Sequence, residues 1–167
     1  MFNVGDLIIY GSTGVCKVAE ITKLNTVQNA DSDTLYYVLE PVYQKGTIYC
    51  PSDNTKVFMR PIMDKQSALQ LMDMVGEMSV EPYHNPNIQK LTEHYDEQFK
   101  SHDCSDLLSL IISIIKKKRE LVLLHKKPGQ IDERFLKKSQ DLLCGELAVV
   151  LGLTKEEVFE KIETSVG

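Results

Sequence analysis

The stretch from Phe2 to Val18 restricts the possible folds more than any other part of the chain. Leu7-Ile8-Ile9-Tyr10 and Val15-Cys16-Lys17-Val18 are apolar runs rich in β-branched residues, and Gly11-Ser12-Thr13-Gly14 lies between them. That pattern predicts a hairpin whose second strand continues through Ala19, Glu20 and Ile21. An isolated two-stranded ribbon is marginal in water, so further strands are expected to close over Val4, Leu7, Ile9, Val15 and Val18.

Candidates for those strands follow directly. Asn25 to Thr34 reads as a polar loop, Leu35 to Leu39 as a third strand ended by Pro41, and Gln44-Lys45-Gly46 as a turn. Thr47 to Cys50 reads as a fourth strand ended by Pro51, and Lys56 to Met59 as a short fifth one. Short strands punctuated by turn residues suit a small, strongly bent antiparallel barrel.

From Asp64 onward the period becomes helical. Ala68, Leu69, Leu71, Met72 and Val75 recur on one face, with Asp64 as N-cap and Gly76 as stop. Pro82 and Pro86 then interrupt any regular element across residues 79–87. A helix over Ile88 to Lys100 follows, with Leu91, Tyr95 and Phe99 in register. Next, capped by Asp103 or Ser105, comes a helix apolar nearly all round from Leu107 to Ile115, the expected centre of the second half. It runs into Lys116-Lys117-Lys118-Arg119. Lys127 to Gln130 reads as a linker, Asp132 as the opening of a helix that stops near Gly152, and Thr154-Lys155-Glu156-Glu157 as a capping box for a last helix. The expected architecture is α+β in two domains: a Tudor/SH3-like five-stranded antiparallel β-barrel over residues 1–62 and an all-α helical bundle over 63–167.

Composition narrows the function. Hydrophobic residues at 43% and charged residues at 26% of 167 are those of an ordinary globular protein. No apolar run approaches the roughly 18 residues that span a bilayer, and no leader-like segment opens the chain, so a cytoplasmic protein without membrane contact is expected. The net charge of −5 argues against indiscriminate nucleic-acid binding. Charge is uneven, however: residues 85–139 carry 11 basic and 8 acidic side chains, and residues 140–167 carry 2 and 6. Cys16, Cys50, Cys104 and Cys144 are far apart and sit in apolar patterns, as reduced, buried thiols do. His84, His94, His102 and Cys104 match no zinc spacing. Gly11 to Gly14 lacks the Lys-Ser/Thr of a phosphate loop, and no nucleophile or acid–base set is recognisable. No metal, cofactor or enzymatic activity is expected.

Val4-Gly5-Asp6-Leu7-Ile8-Ile9-Tyr10 with Gly14-Val15, the Tyr36 to Leu39 strand and a strand ending in Pro51 resemble the Tudor-like RNA polymerase-interacting domain of the CarD/CdnL bacterial transcription regulators. Transcription-repair coupling factors carry a related domain. The run Phe135 to Ala148, ending in Gly145-Glu146-Leu147-Ala148, is similar to the segment that closes the helical domain of those regulators.

The resemblance implies a non-enzymatic transcription regulator. Its N-terminal domain would dock on the β subunit of RNA polymerase by aligning a strand edge, with Thr47, Ile48 and Tyr49 as that edge and Lys23 and Leu24 beside it. Its helical domain would contact promoter DNA without reading sequence, at the upstream edge of the melted region, stabilising the open complex. Where the family has an Asn-Trp wedge followed by Arg or Lys, this chain has Asn87-Ile88, then Gln89 and Lys90. Ile88 therefore takes the wedge position. Asn87 and Lys90, with the cations Lys116, Lys117, Lys118, Arg119, Lys126 and Lys137, become the candidate DNA contacts. A monomer is expected. The alternative is a protein–protein adaptor that docks on the polymerase without appreciable DNA binding.

Overall fold

The computed structural model describes residues 1–24 and 34–167. The polar loop expected from Asn25 lies, apart from Thr34, outside the described residues. The chain divides into two units, Met1–Ile62 and Met63–Gly167.

The first unit is one antiparallel sheet of β1 (Leu7–Tyr10), β2 (Gly14–Lys23), β3 (Leu35–Pro41), β4 (Ile48–Pro51) and β5 (Met59–Pro61), in the order β4-β3-β2-β1-β5. The hairpin turn needs its glycines. Gly11 has φ +48°, and a Cβ there would meet Val57 Cγ1 at 3.0 Å; Gly14 has φ +88°. Register sets the core by period two: Ile8 faces Cys16, Val18 faces Leu39 and Tyr37 faces Cys50, and these six form the buried cluster. A bulge between Val18 and Glu20 shifts the register and sets Ile21 opposite Tyr37, where it packs against that cluster. The expected core set is thus corrected. Val4 is exposed, Leu7 is half-buried, and Ile9 and Val15 are buried opposite each other on the other face of the hairpin.

Two further expectations are corrected. The fifth strand begins at Met59 rather than Lys56, because the Asn54 side chain binds the backbone of Lys56 and Val57 and holds that segment in a local turn. The sheet also does not close into a barrel. Hydrogen bonds to neighbours alternate along a strand, which leaves Pro51 of β4 and Pro61 of β5 in the outward register, and neither has an N–H to donate. Among the described residues, side chains link the two edges, with Cys50 Sγ 3.7 Å from Met59 Sδ.

The second unit is all helical: α1 (Lys65–Met74), α2 (Ile88–Lys100), α3 (Cys104–Leu123), α4 (Gln130–Ser139), α5 (Gly145–Leu151) and α6 (Lys155–Ser165). Side-chain caps start four of them. Asp64 accepts from the Ser67 N–H, Asn87 from Lys90, Asp103 from Ser105 and Asp106, and Thr154 from Glu157. The Ser67 N–H holds the Asp64 carboxyl below the usual range. α3 is the centre, with Leu107, Leu108, Leu110, Ile111, Ile112, Ile114 and Ile115 all buried. A π-helical turn over Gln140–Cys144 joins α4 to α5 without a break, and Gly152 at φ +69° ends α5. Within the Gly145 to Ala148 run, Glu146 is buried, and its carboxylate accepts the Met63 N–H at 2.9 Å.

Candidate functional site

β4 is an edge strand, and among the described residues it pairs only with β3. Which backbone groups it offers outward follows from one bond: the Ser52 N–H donates to the Leu35 carbonyl at 2.8 Å. Residues 48, 50 and 52 therefore bond toward β3, and the N–H and C=O of Tyr49 point away from the sheet. The Tyr49 side chain is 55% exposed, Thr47 is exposed and Ile48 is half-buried. Among the described residues this outer edge is a short template to which another strand can add. Lys23 and Leu24 are not beside it. Lys23 ends β2 opposite Leu35, so β3 stands between Lys23 and β4.

In the helical unit, Asn87 and Ile88 open α2. The Asn87 side chain is engaged as N-cap, accepting from the Lys90 N–H at 3.1 Å, and the Lys90 side chain is exposed. Ile88 is the first helical residue and is 66% exposed, so it is not packed as a staple against the core. An exposed apolar side chain thus stands at a helix N-terminus, with Lys90 half a turn further on.

The basic run does not form one face. Lys117 turns into the core, where Nζ lies 3.0 Å from Asp132 Oδ1 and its side chain is 9% exposed. Asp132 correspondingly does not open α4; Gly129 is the N-cap, and the carboxylate is buried one turn into the helix. Lys116 donates to the Val80 carbonyl at 2.8 Å, Lys118 pairs with Glu133 at 2.9 Å, and Arg119 donates to the carbonyls of Val166 and Glu163. Lys137 pairs with Asp141 at 3.1 Å, Lys138 lies over the Phe99 and Phe135 rings, and Lys126 is exposed. These cations mostly tie helices together.

The thiols match this structural character. Cys16, Cys50, Cys104 and Cys144 form no disulfide with one another, and burial pushes Cys16 up to about 11 and Cys144 up to about 12. His94 stacks on Tyr83 with ring centroids 3.6 Å apart, and His84 bonds Glu120 at 3.0 Å. Among the described residues, no helix is long and apolar enough to cross a membrane.

Residues 2–63 match the family model of the CarD-like/TRCF RID domain. This segment is a CarD-like RNA polymerase-interacting domain. The match coincides with the five-stranded unit and leaves the helical unit outside it. No curated protein matches the chain. The RID is a protein-interaction domain of transcription, not an enzyme family, and β4 is the RID edge with outward backbone groups at Tyr49. Sequence reasoning located that strand but not its outward register, which depends on pairing with β3. It also passed over Val122, Leu123 and Leu124, all more than half exposed at the end of α3.

Proposed function

We propose that the RID docks on the β subunit of RNA polymerase by adding the β4 edge to a strand of that subunit, with the main chain of Tyr49 supplying the central hydrogen bonds. The observation that carries this is the outward-facing Tyr49 backbone on an edge strand of a domain matched as polymerase-interacting. Thr47 and Ile48 complete the edge, and Lys23 and Leu24 lie outside it. The helical unit, residues 63–167, is the domain that reaches promoter DNA at the upstream edge of the melted region. Contact concentrates at the N-terminus of α2. There Ile88 wedges into the minor groove, Lys90 meets phosphate, and the helix end with its partial positive charge favours an anion. Tighter binding to the melted than to the closed promoter stabilises the open complex. The protein acts in the cytoplasm, without catalysis of its own.

A second reading, docking without appreciable DNA binding, draws on the engagement of Lys116, Lys117, Lys118 and Arg119 within the helical unit. Binding to a forked promoter duplex with polymerase present separates the two. The regulator loses affinity steeply with salt and loses more on Ile88→Ala; the adaptor binds polymerase and leaves the DNA untouched.

A further inference from the structure

The covalent junction between the two units has no slack. Ile62 closes the first unit, where its N–H donates to the Leu7 carbonyl at 3.3 Å, one step beyond the last paired residues of β1 and β5. Met63 opens the second, where its N–H donates to Glu146 Oε2 at 2.9 Å. Asp64 follows at once as N-cap of α1, its carboxylate accepting the Ser67 N–H at 2.7 Å. Successive peptide planes are thus held by different units. A peptide plane is rigid, so φ and ψ of Ile62 are the soft torsions between the two grips. Sterics exclude most combinations of φ and ψ for such a residue, and the ring of Pro61 fixes φ one position earlier.

The second grip comes from far along the chain. Glu146 lies 83 residues beyond Met63, in the first turn of α5, and is 2% exposed. Its other carboxylate oxygen, Oε1, lies 3.8 Å from Cys104 Sγ at the start of α3. Burying a carboxylate is costly, and its neighbours in sequence Leu143, Cys144, Leu147 and Ala148 show what the core otherwise admits there. Helix formation does not require this acid either, since the Met63 N–H precedes the α1 cap.

We propose that Glu146 is a positioning residue. Its carboxylate fixes the point at which the chain enters the helical unit, so that movement of that unit on the RID passes through Ile62. Without this bond the torsions of Met63 join those of Ile62, and the tether loosens as far as the Asp64 cap. The grip is a property of the chain itself; its consequence for transcription rests on the DNA contact proposed above. A tightly tethered unit brings the N-terminus of α2 to the promoter with less backbone to order on binding.

Nuclear magnetic resonance relaxation and amide hydrogen exchange of the full chain test it. In the wild type the two units should tumble together, and the Met63 amide should exchange at least about tenfold more slowly than an unbonded one. Glu146→Leu removes the acceptor at similar volume. It should free the Met63 amide and separate the tumbling of the units, with an unchanged circular dichroism spectrum. Glu146→Gln, whose amide oxygen still accepts, should behave as wild type. A Gly-Ser-Gly insertion between Ile62 and Met63 should loosen the units with the Met63 amide still protected, and it keeps the test open where Glu146→Leu fails to fold. Both loosened chains should shorten the open-complex lifetime at least about fivefold, the equivalent of ordering one residue's backbone, with β-subunit affinity unchanged. The proposal is overturned by independent tumbling or an unprotected Met63 amide in the wild type. It is equally overturned by joint tumbling in Glu146→Leu or in the insertion chain, or by Glu146→Gln matching Glu146→Leu. Loosened units with an unchanged open-complex lifetime uphold the grip and count against the DNA contact instead.

Discussion

Lys117 Nζ and Asp132 Oδ1 lie 3.0 Å apart inside the helical core, and the Tyr95 hydroxyl donates to the same carboxylate oxygen at 2.6 Å. The ammonium also lies over the Tyr95 ring, 5.9 Å from its centroid. This network pins α2, α3 and α4 to one another with groups that are costly to bury alone.

Lys117→Met should therefore strand a buried carboxylate and cost about 3–5 kcal/mol. In the double variant Lys117→Met/Asp132→Leu the apolar pair fills the site without a charge, and most of that loss should be recovered. Urea denaturation of the wild type, single and double variants measures both effects. Equal losses in the single and double variants would contradict the assignment.

Stability should fall in alkali from about pH 9. Unfolded thiols titrate near about 8.5–9, while burial raises Cys16 to about 11 and Cys144 to about 12. Between those values the unfolded chain releases protons that the folded chain keeps, so folding loses free energy as pH rises. The contribution is complete below the unfolded value and is lost through the folded values, at up to about 1.4 kcal/mol per pH unit for each thiol. Tyr95, pushed up first by burial and then by Asp132, adds to the slope above about pH 10. Cys16→Ala/Cys144→Ala should flatten the dependence between pH 9 and 11, followed by denaturant midpoints across that range.

His125→Gly should stabilise the helical unit by about 0.5–1 kcal/mol. His125 follows the C-cap of α3 at φ +55°, where the Lys126 N–H bonds the Leu121 carbonyl at 2.8 Å and the His125 N–H bonds Val122 at 3.0 Å. That pair of bonds is a Schellman ending, whose left-handed residue is usually glycine. Thermal and urea unfolding at low protein concentration would read the gain, and His125→Ala should show none.

Which features were legible in the sequence depends on how far apart the deciding groups are. The start of α1 at Asp64, the full extent of α2 and the N-cap at Thr154 depend on neighbours within one turn, and all stand as the pattern indicates. Lys117 was misplaced on a basic surface because its partner is 15 residues away. A local signal existed: Lys117 falls three and seven residues after Ile114 and Leu110, on the buried stripe of α3, and Asp132 precedes Phe135 and Leu136 by three and four. In the sheet, four strands were visible and the fifth was placed three residues early, but the core face was not visible. Both faces of the first hairpin are apolar, and only the pairing with β3 sets Ile8, Cys16 and Val18 inward together. Pro51 reads as a strand end, and Pro61 carries no such reading. Their consequence for closure depends on the hydrogen-bond register.

Ile88→Ala should leave stability within about 0.5 kcal/mol of wild type, since the side chain is 66% exposed. On the proposed reading it should still shorten the lifetime of the open promoter complex severalfold, with less effect on polymerase binding. Filter-retention decay measurements at fixed salt report the lifetime; an unchanged lifetime would favour the adaptor reading.

The most direct test of polymerase docking is the affinity of the full chain for purified β subunit, wild type against Tyr49→Glu. An unfavourable side chain at the centre of the exposed edge should reduce affinity at least about tenfold while the unfolding midpoint stays put. Binding by wild type and its loss in Tyr49→Glu is the expected result. Absence of binding by the wild type, or equal binding by both proteins, would contradict the β4 edge as the docking site.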